Sequence, residues 1–195
     1  MDKIVWPLFS KPIFKRPVDV SNVDLASIKW ARNYNNWISE SQQVLSQPEF
    51  SQFAENVYDG ICEYFYGVMQ AKTNIEIYVT ESWFNKTEVG QTHHRHWHPN
   101  SLYSGIVYID SEGSTGRTRF ITSHYDTVEY DVVDSNIYNS RSWNIDPEVG
   151  TMIIFPSSVE HMVEEYLGTR PRITLSFNTF IRGDVNTSPL TRLIL

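Results

Sequence analysis

Residues 91–109 read QTHHRHWHPNSLYSGIVYI, and four of the chain's six histidines stand there: His93, His94, His96 and His98. In an extended strand the side chains at i and i+2 leave the same face. His96 and His98 on one strand would therefore converge on a point, as the first two ligands of a divalent metal do. His94 and His96 share that spacing, so the register of the pair is open at this level. Pro99, Asn100 and Ser101 supply turn chemistry that breaks the strand. The apolar run from Leu102 to Ile109 resumes behind it as a second strand. The pattern is a strand end carrying ligands at the mouth of a β-framework. A solvated histidine loop that picks up metal adventitiously is the competing reading of the cluster alone.

Working outward, Ile75, Ile77, Val79 and Trp83 fall on one parity with Glu76, Tyr78 and Thr80 on the other, which predicts a strand closed by the turn-rich residues 85–90. Upstream, Pro48 suits a first helical position. Phe50, Phe53, Ala54, Val57, Ile61, Tyr64, Phe65 and Val68 recur at helical spacing and read as a core-facing helix. An earlier helix is expected from a cap at Ser21–Asn22 through Leu25, Ile28, Trp30 and Ala31 to the region of Tyr34–Ile38. Residues 4–17, with Pro7, Pro12 and Pro17, suit an extended edge segment.

Downstream, short strands are expected at 102–109, 117–122, 152–156, 159–166 and 172–180, separated by glycine and proline turns. Residues 123–142 are polar and aperiodic and suit a lid loop, with His124 as a loop residue. The tail from Arg182 reads as loosely held. Helices followed by runs of strand predict a mainly β protein, a sandwich or barrel with N-terminal helices on one side. We expect one domain over 1–195, divided into supporting segments (1–72), core (73–181) and tail (182–195).

The net charge of −7 argues against nucleic acid as a partner. Cys62 is the only cysteine, so no intrachain disulfide forms. It falls in the helical apolar stripe as a small buried thiol. With no membrane-length apolar run and no signal-like start, a cytoplasmic protein is expected. Exposed aromatics would suit a homodimer. No Gly-rich phosphate loop and no nucleophile elbow is present.

His161, on a later strand, and Arg172, one strand further on, complete the constellation. His96-Trp97-His98-Pro99-Asn100-Ser101, Ser104-Gly105-Ile106-Val107-Tyr108, Gly150, Ile154-Phe155-Pro156, His161 and Arg172-Ile173-Thr174-Leu175-Ser176-Phe177-Asn178 together resemble the iron(II)- and 2-oxoglutarate-dependent oxygenases. The likeness is greatest to a bacterial and phage group with a His-x-His-Pro strand end, and it covers roughly residues 75–180. It implies a double-stranded β-helix, or jelly roll.

By that resemblance His96 and His161 would be iron ligands. The residue two after the first histidine is usually Asp or Glu in the superfamily; here it is His98. It is either the third ligand, our preferred assignment, or leaves a position for water or chloride. His93 and His94 would then lie behind the ligands or at the surface. Arg172 would clamp the distal carboxylate of 2-oxoglutarate with its planar guanidinium, helped by the Thr174 hydroxyl. A surface salt bridge is the alternative for Arg172, and Arg170 is its nearest competitor. Tyr108, Asn178 and Asn100 are candidate pocket residues, and Trp97 points away.

The implied cofactors are Fe(II), 2-oxoglutarate and O2, used to hydroxylate an amino-acid side chain or small molecule. Two readings compete. One is a cupin-like three-histidine metalloprotein that does not use 2-oxoglutarate; the other is a non-enzymatic jelly-roll module. Arg172 is required only by the oxygenase.

Overall fold

The computed structural model describes residues 3–122, 128 and 130–195. His124 and part of the expected lid loop lie outside these residues. In chain order the elements are β1 (Phe14–Pro17), β2 (Trp30–Asn33), β3 (Asn36–Ser39), α1 (Ser51–Cys62), β4 (Ile75–Thr87), β5 (His93–His96), β6 (Tyr103–Asp110) and β7 (Thr118–Ile121). There follow β8 (Ser142–Ile145), β9 (Thr151–Pro156), β10 (Glu160–Val163), β11 (Arg172–Asn186) and β12 (Leu193–Ile194). A π-helical stretch, Glu63–Val68, continues α1.

Two antiparallel sheets form. The larger runs β1-β9-β6-β11-β4-β3-β2, with β12 beside β11, and the smaller runs β5-β10-β7-β8. This is the expected mainly β jelly roll.

Strand alternation decides what each face carries. On β11, Ile173, Leu175 and Phe177 join the core under α1, with Val107 of β6, Phe84 of β4 and Phe53, Val57 and Ile61 of the helix. The other parity, Arg172, Thr174 and Ser176, faces the space between the sheets. Ile106, Tyr108, Phe120, Ile153 and Phe155 form a second apolar cluster there. The larger sheet is thus covered on both sides, and β6 accordingly reads as a nearly continuous buried run.

Three expectations are corrected. The first helix is absent: residues 30–39 form the β2–β3 hairpin, and Tyr34 adopts φ +24. Asn33-Tyr34-Asn35-Asn36 is turn chemistry inside what reads as a helical stripe. Lys86 of β4 sits over both Trp30 and Trp37, 5.2 and 5.0 Å from their ring centres, which fastens the hairpin to the sheet. Next, β4 runs through Thr87 rather than turning at Asn85, because Asn85, Lys86 and Thr87 pair with Thr174, Ile173 and Arg172. Finally, the tail is stitched down: β11 continues to Asn186, and β12 pairs with it. Among the described residues no helix is long and apolar enough to cross a membrane.

Gly105 shows how tightly the core side is filled. A Cβ there would lie 2.1 Å from Cζ of Phe177, whose ring is fully buried. Gly105→Ala is expected to lower unfolding free energy by about 1–3 kcal/mol, read from urea denaturation. An unchanged midpoint would show that the ring can move aside.

Candidate metal centre

β5 and β10 pair antiparallel with His96 opposite His161, so the register itself brings two imidazoles together, their ring centres 4.4 Å apart. His98 lies just past the end of β5, its backbone N–H donating to the Ser157 carbonyl at 3.1 Å. This returns its ring to the same point. It stacks nearly parallel on His161, and the two Nε2 atoms are 3.3 Å apart. Phe155 packs edge-on to His161 at 4.8 Å, and Trp83 lies 6.0 Å from His98. One ligand nitrogen from each of His96, His98 and His161 lies within 4.8 Å of the others.

The hydrogen bonds fix which nitrogen is free. His96 Nδ1 donates to the His94 carbonyl at 2.7 Å, and His161 Nδ1 to the Val159 carbonyl at 3.1 Å. Each ring then keeps its lone pair on Nε2, the arrangement of a metal-binding histidine whose other nitrogen is anchored behind it. With His161 Nε2 as the acceptor, the 3.3 Å contact to His98 Nε2 is met either by an N–H on His98 or by a cation held between the two nitrogens. Bonds of 2.0–2.1 Å at right angles would set neighbouring nitrogens about 3 Å apart, close to the spacing of His98 and His161.

Burial pushes the His98 imidazole down to about 4, with His96 adding to the effect. It holds His96 below its ordinary value and His161 well below it. All three rings are neutral at pH 7, so no proton competes for the lone pairs.

Arg172 lies along the same cavity, 2% exposed. Its Cζ sits 5.4 Å from the Tyr108 ring centre, but Nε and Nη2 have no hydrogen-bond partner. A sealed guanidinium with open donors is costly to fold around and marks a place kept for an anion. Arg170 is not that group: it is exposed and paired with Asp110 at 3.1 Å and Glu112 at 2.9 Å. Thr174, on the same face of β11, is buried in the cavity wall. Among the described residues the wall holds no carboxylate. The donor set thus suits a cation at one place and a dianion beside it.

Of the remaining candidates, Tyr108 backs Arg172 from outside the wall, its hydroxyl 2.9 Å from Thr118 Oγ1. Asn178 is tied to Ser104 and Glu81 rather than the cavity. Asn100 is an exposed turn residue with φ +58. Trp97, expected to pack away from the ligands, is 55% exposed. Sequence reading missed His93, Asn36, Trp83, Asn85, Thr87 and Ser176 in the wall. The odd-numbered parity of β4 could have shown Trp83, Asn85 and Thr87 together. Asn36 was hidden by the helix reading.

The family model described as "Putative 2OG-Fe(II) oxygenase" matches residues 81–178, half of the chain. The chain belongs to the 2OG-Fe(II) oxygenases. These enzymes use Fe(II), 2-oxoglutarate and O2, and the residues just described fit both the metal and the cosubstrate.

The sequence matches none of the curated proteins. Among solved structures, this oxygenase is similar to the 2-oxoglutarate-dependent epimerase SnoN of nogalamycin biosynthesis (TM-score 0.61, 11% identity, covering 94% of this chain and 88% of that one). HygX from Streptomyces hygroscopicus, with nickel and 2-oxoglutarate bound, matches at TM-score 0.59 and 8% identity, over 87% and 82%. A Pseudomonas putida prolyl-4-hydroxylase matches at 0.55 and 15%, over 87% and 93%. At these identities the likeness concerns the fold.

The depressed His98 imidazole sets a pH window for the metal-free oxygenase. Its folded pKa lies below its unfolded one, so the unfolded chain binds more protons. The stability it contributes is complete above 6.5 and is lost as pH falls toward about 4. Thermal unfolding of metal-free protein is expected to show a midpoint declining through that window, with a shallower decline in His98→Gln. Equal slopes in the two proteins would contradict the assignment.

Proposed function

We propose that this oxygenase binds Fe(II) through His96, His98 and His161, holds 2-oxoglutarate by its distal carboxylate on Arg172 and Thr174, and hydroxylates an amino-acid side chain or small molecule. The observation that carries the reading is the buried, unpartnered guanidinium of Arg172 in one cavity with the three imidazoles. A cupin-like centre without 2-oxoglutarate would leave that charge uncompensated.

Held by His96, His98 and His161, Fe(II) would supply the oxidising chemistry that couples conversion of 2-oxoglutarate and O2 to succinate and CO2 with hydroxylation of a substrate C–H bond. The chain's own residues bind and orient. Arg172 offers two open N–H groups in the planar fork that matches a carboxylate. Thr174 offers a hydroxyl on the same strand face. Three neutral imidazoles leave the cation one charge more positive than two histidines and a carboxylate would, and the dianionic cosubstrate offsets it. The side chains of Ile106, Phe120 and Phe155 keep the inner side of His161 free of water.

The net charge of −7 supports a substrate other than nucleic acid. A lone, half-buried Cys62 and a ferrous centre support a reducing cytoplasm as the working compartment.

Anaerobic addition of Fe(II) and 2-oxoglutarate is expected to give a weak visible charge-transfer band. Arg172→Ala should raise the 2-oxoglutarate concentration needed by about a hundredfold, in line with loss of charged hydrogen bonds, while metal binding persists. Arg172→Lys should recover only part of it. Unchanged 2-oxoglutarate affinity in the alanine variant would sink the clamp.

A further inference from the structure

The three inner histidines are not the whole imidazole array. In a regular strand His93 and His96, three residues apart, would face opposite ways. Here β10 advances from His161 to Val163 while β5 steps from His96 to His93, a bulge that places one extra residue on β5. His93 consequently lines the cavity beside His96, their rings stacked at 4.7 Å and 21°. His94, exposed at the mouth and braced edge-on by Tyr34 at 4.8 Å, lies 5.0 Å from His93 and 5.1 Å from His96. One ligand nitrogen from each of His93, His94 and His96 lies within 4.8 Å of the other two, the same tolerance the inner group meets.

We propose that His93, His94 and His96 form an outer site for a divalent cation of the zinc, nickel and ferrous class, which passes the ion inward to His98 and His161. The inward half of this path rests on the ligands assigned under the proposed function. His96 is common to both groups. With Nδ1 committed to the His94 carbonyl, its Nε2 lone pair serves one ion at a time. The two positions therefore exchange a single cation rather than hold a pair.

The path leads from an exposed ring, His94, to one only 3% exposed, His161. Stripping a divalent ion of water in one step is costly. A ligand kept throughout lets imidazoles replace waters one by one.

The test uses the full chain and Ni(II) alone. Calorimetry gives stoichiometry, and stopped-flow quenching of tryptophan emission follows loading, since Trp83 lies against His98. Wild type is expected to bind one Ni(II). The double variant His98→Ala/His161→Ala should still bind one, at least about tenfold more weakly, and adding His94→Ala should abolish that residual binding. His93→Ala/His94→Ala should reach the same final occupancy as wild type but load about fivefold or more slowly, as removal of an early ligand requires.

A folded His98→Ala/His161→Ala protein that binds no Ni(II) would overturn the outer site. Should that variant not fold, His93→Ala/His94→Ala loading at the wild-type rate overturns it instead. Binding by the inner double variant as tight as wild type would overturn the inner ligand assignment and the transfer, leaving the outer site standing.

Discussion

The constraint on which the rest of the structure depends is the two-residue period of β11 in a sheet covered on both sides. One parity puts Ile173, Leu175 and Phe177 into the core under α1, and the other puts Arg172, Thr174 and Ser176 into the cavity. A slip of one residue against β4 would exchange the two sets. It would drive a guanidinium into the aromatic core and turn three large apolar side chains toward the site. The core contacts that stabilise the fold are therefore the same ones that aim Arg172. Gly105 belongs to this arrangement, since only the absence of a side chain there leaves room for the Phe177 ring.

The smaller sheet meets a different demand. Its strands are short, and the β5–β10 register serves to set His96 opposite His161. Neutral imidazoles can be gathered this closely in an apolar setting where carboxylates would repel or need partners. Phe120 and Phe155 lie against His161 and deepen the effect, and burial is the first cause of every lowered histidine in the group. The result is a ligand set ready to bind at neutral pH but without charge of its own. Electrostatic balance is left to what enters the cavity, and Arg172 requires that to be an anion.

Much of this was legible in the sequence, and the exceptions share a cause. The grouping of His96, His98 and His161 came from the family resemblance, strand spacing alone leaving the His94–His96 register open, while the α1 stripe and the strands around 102–109 and 152–156 follow from local periodicity. The β2–β3 hairpin did not, because Trp30, Ala31 and Ile38 fit a helical stripe as well as a strand, and only the pairing with β4 and the Lys86 clamp decide between them. The cavity position of His93 was equally unreadable, since a bulge is a property of two strands and the alternation rule assumes there is none. Asn85 looked like turn chemistry until its partner strand was known. Each miss is a tertiary contact overriding a local signal.

That hairpin lies outside residues 81–178, the part shared with the family, yet the cavity is not closed without it. Asn36 is 1% exposed in the wall with its Nδ2 unpartnered, while its Oδ1 accepts from Asn33 across the turn. Asn35 reaches Thr92 at 3.4 Å, and Tyr34 braces His94. One four-residue turn thus touches the start of β5, the mouth and the wall. Lys86 over the rings of Trp30 and Trp37 holds it against β4. Residues 81–178 carry the clustered histidines and the unpartnered Arg172, and the hairpin shapes the remaining side of the cavity, where a donor is still unspent. With the Asn36 donor unspent in the wall, this turn bears on what the cavity accepts as much as the ligand set does.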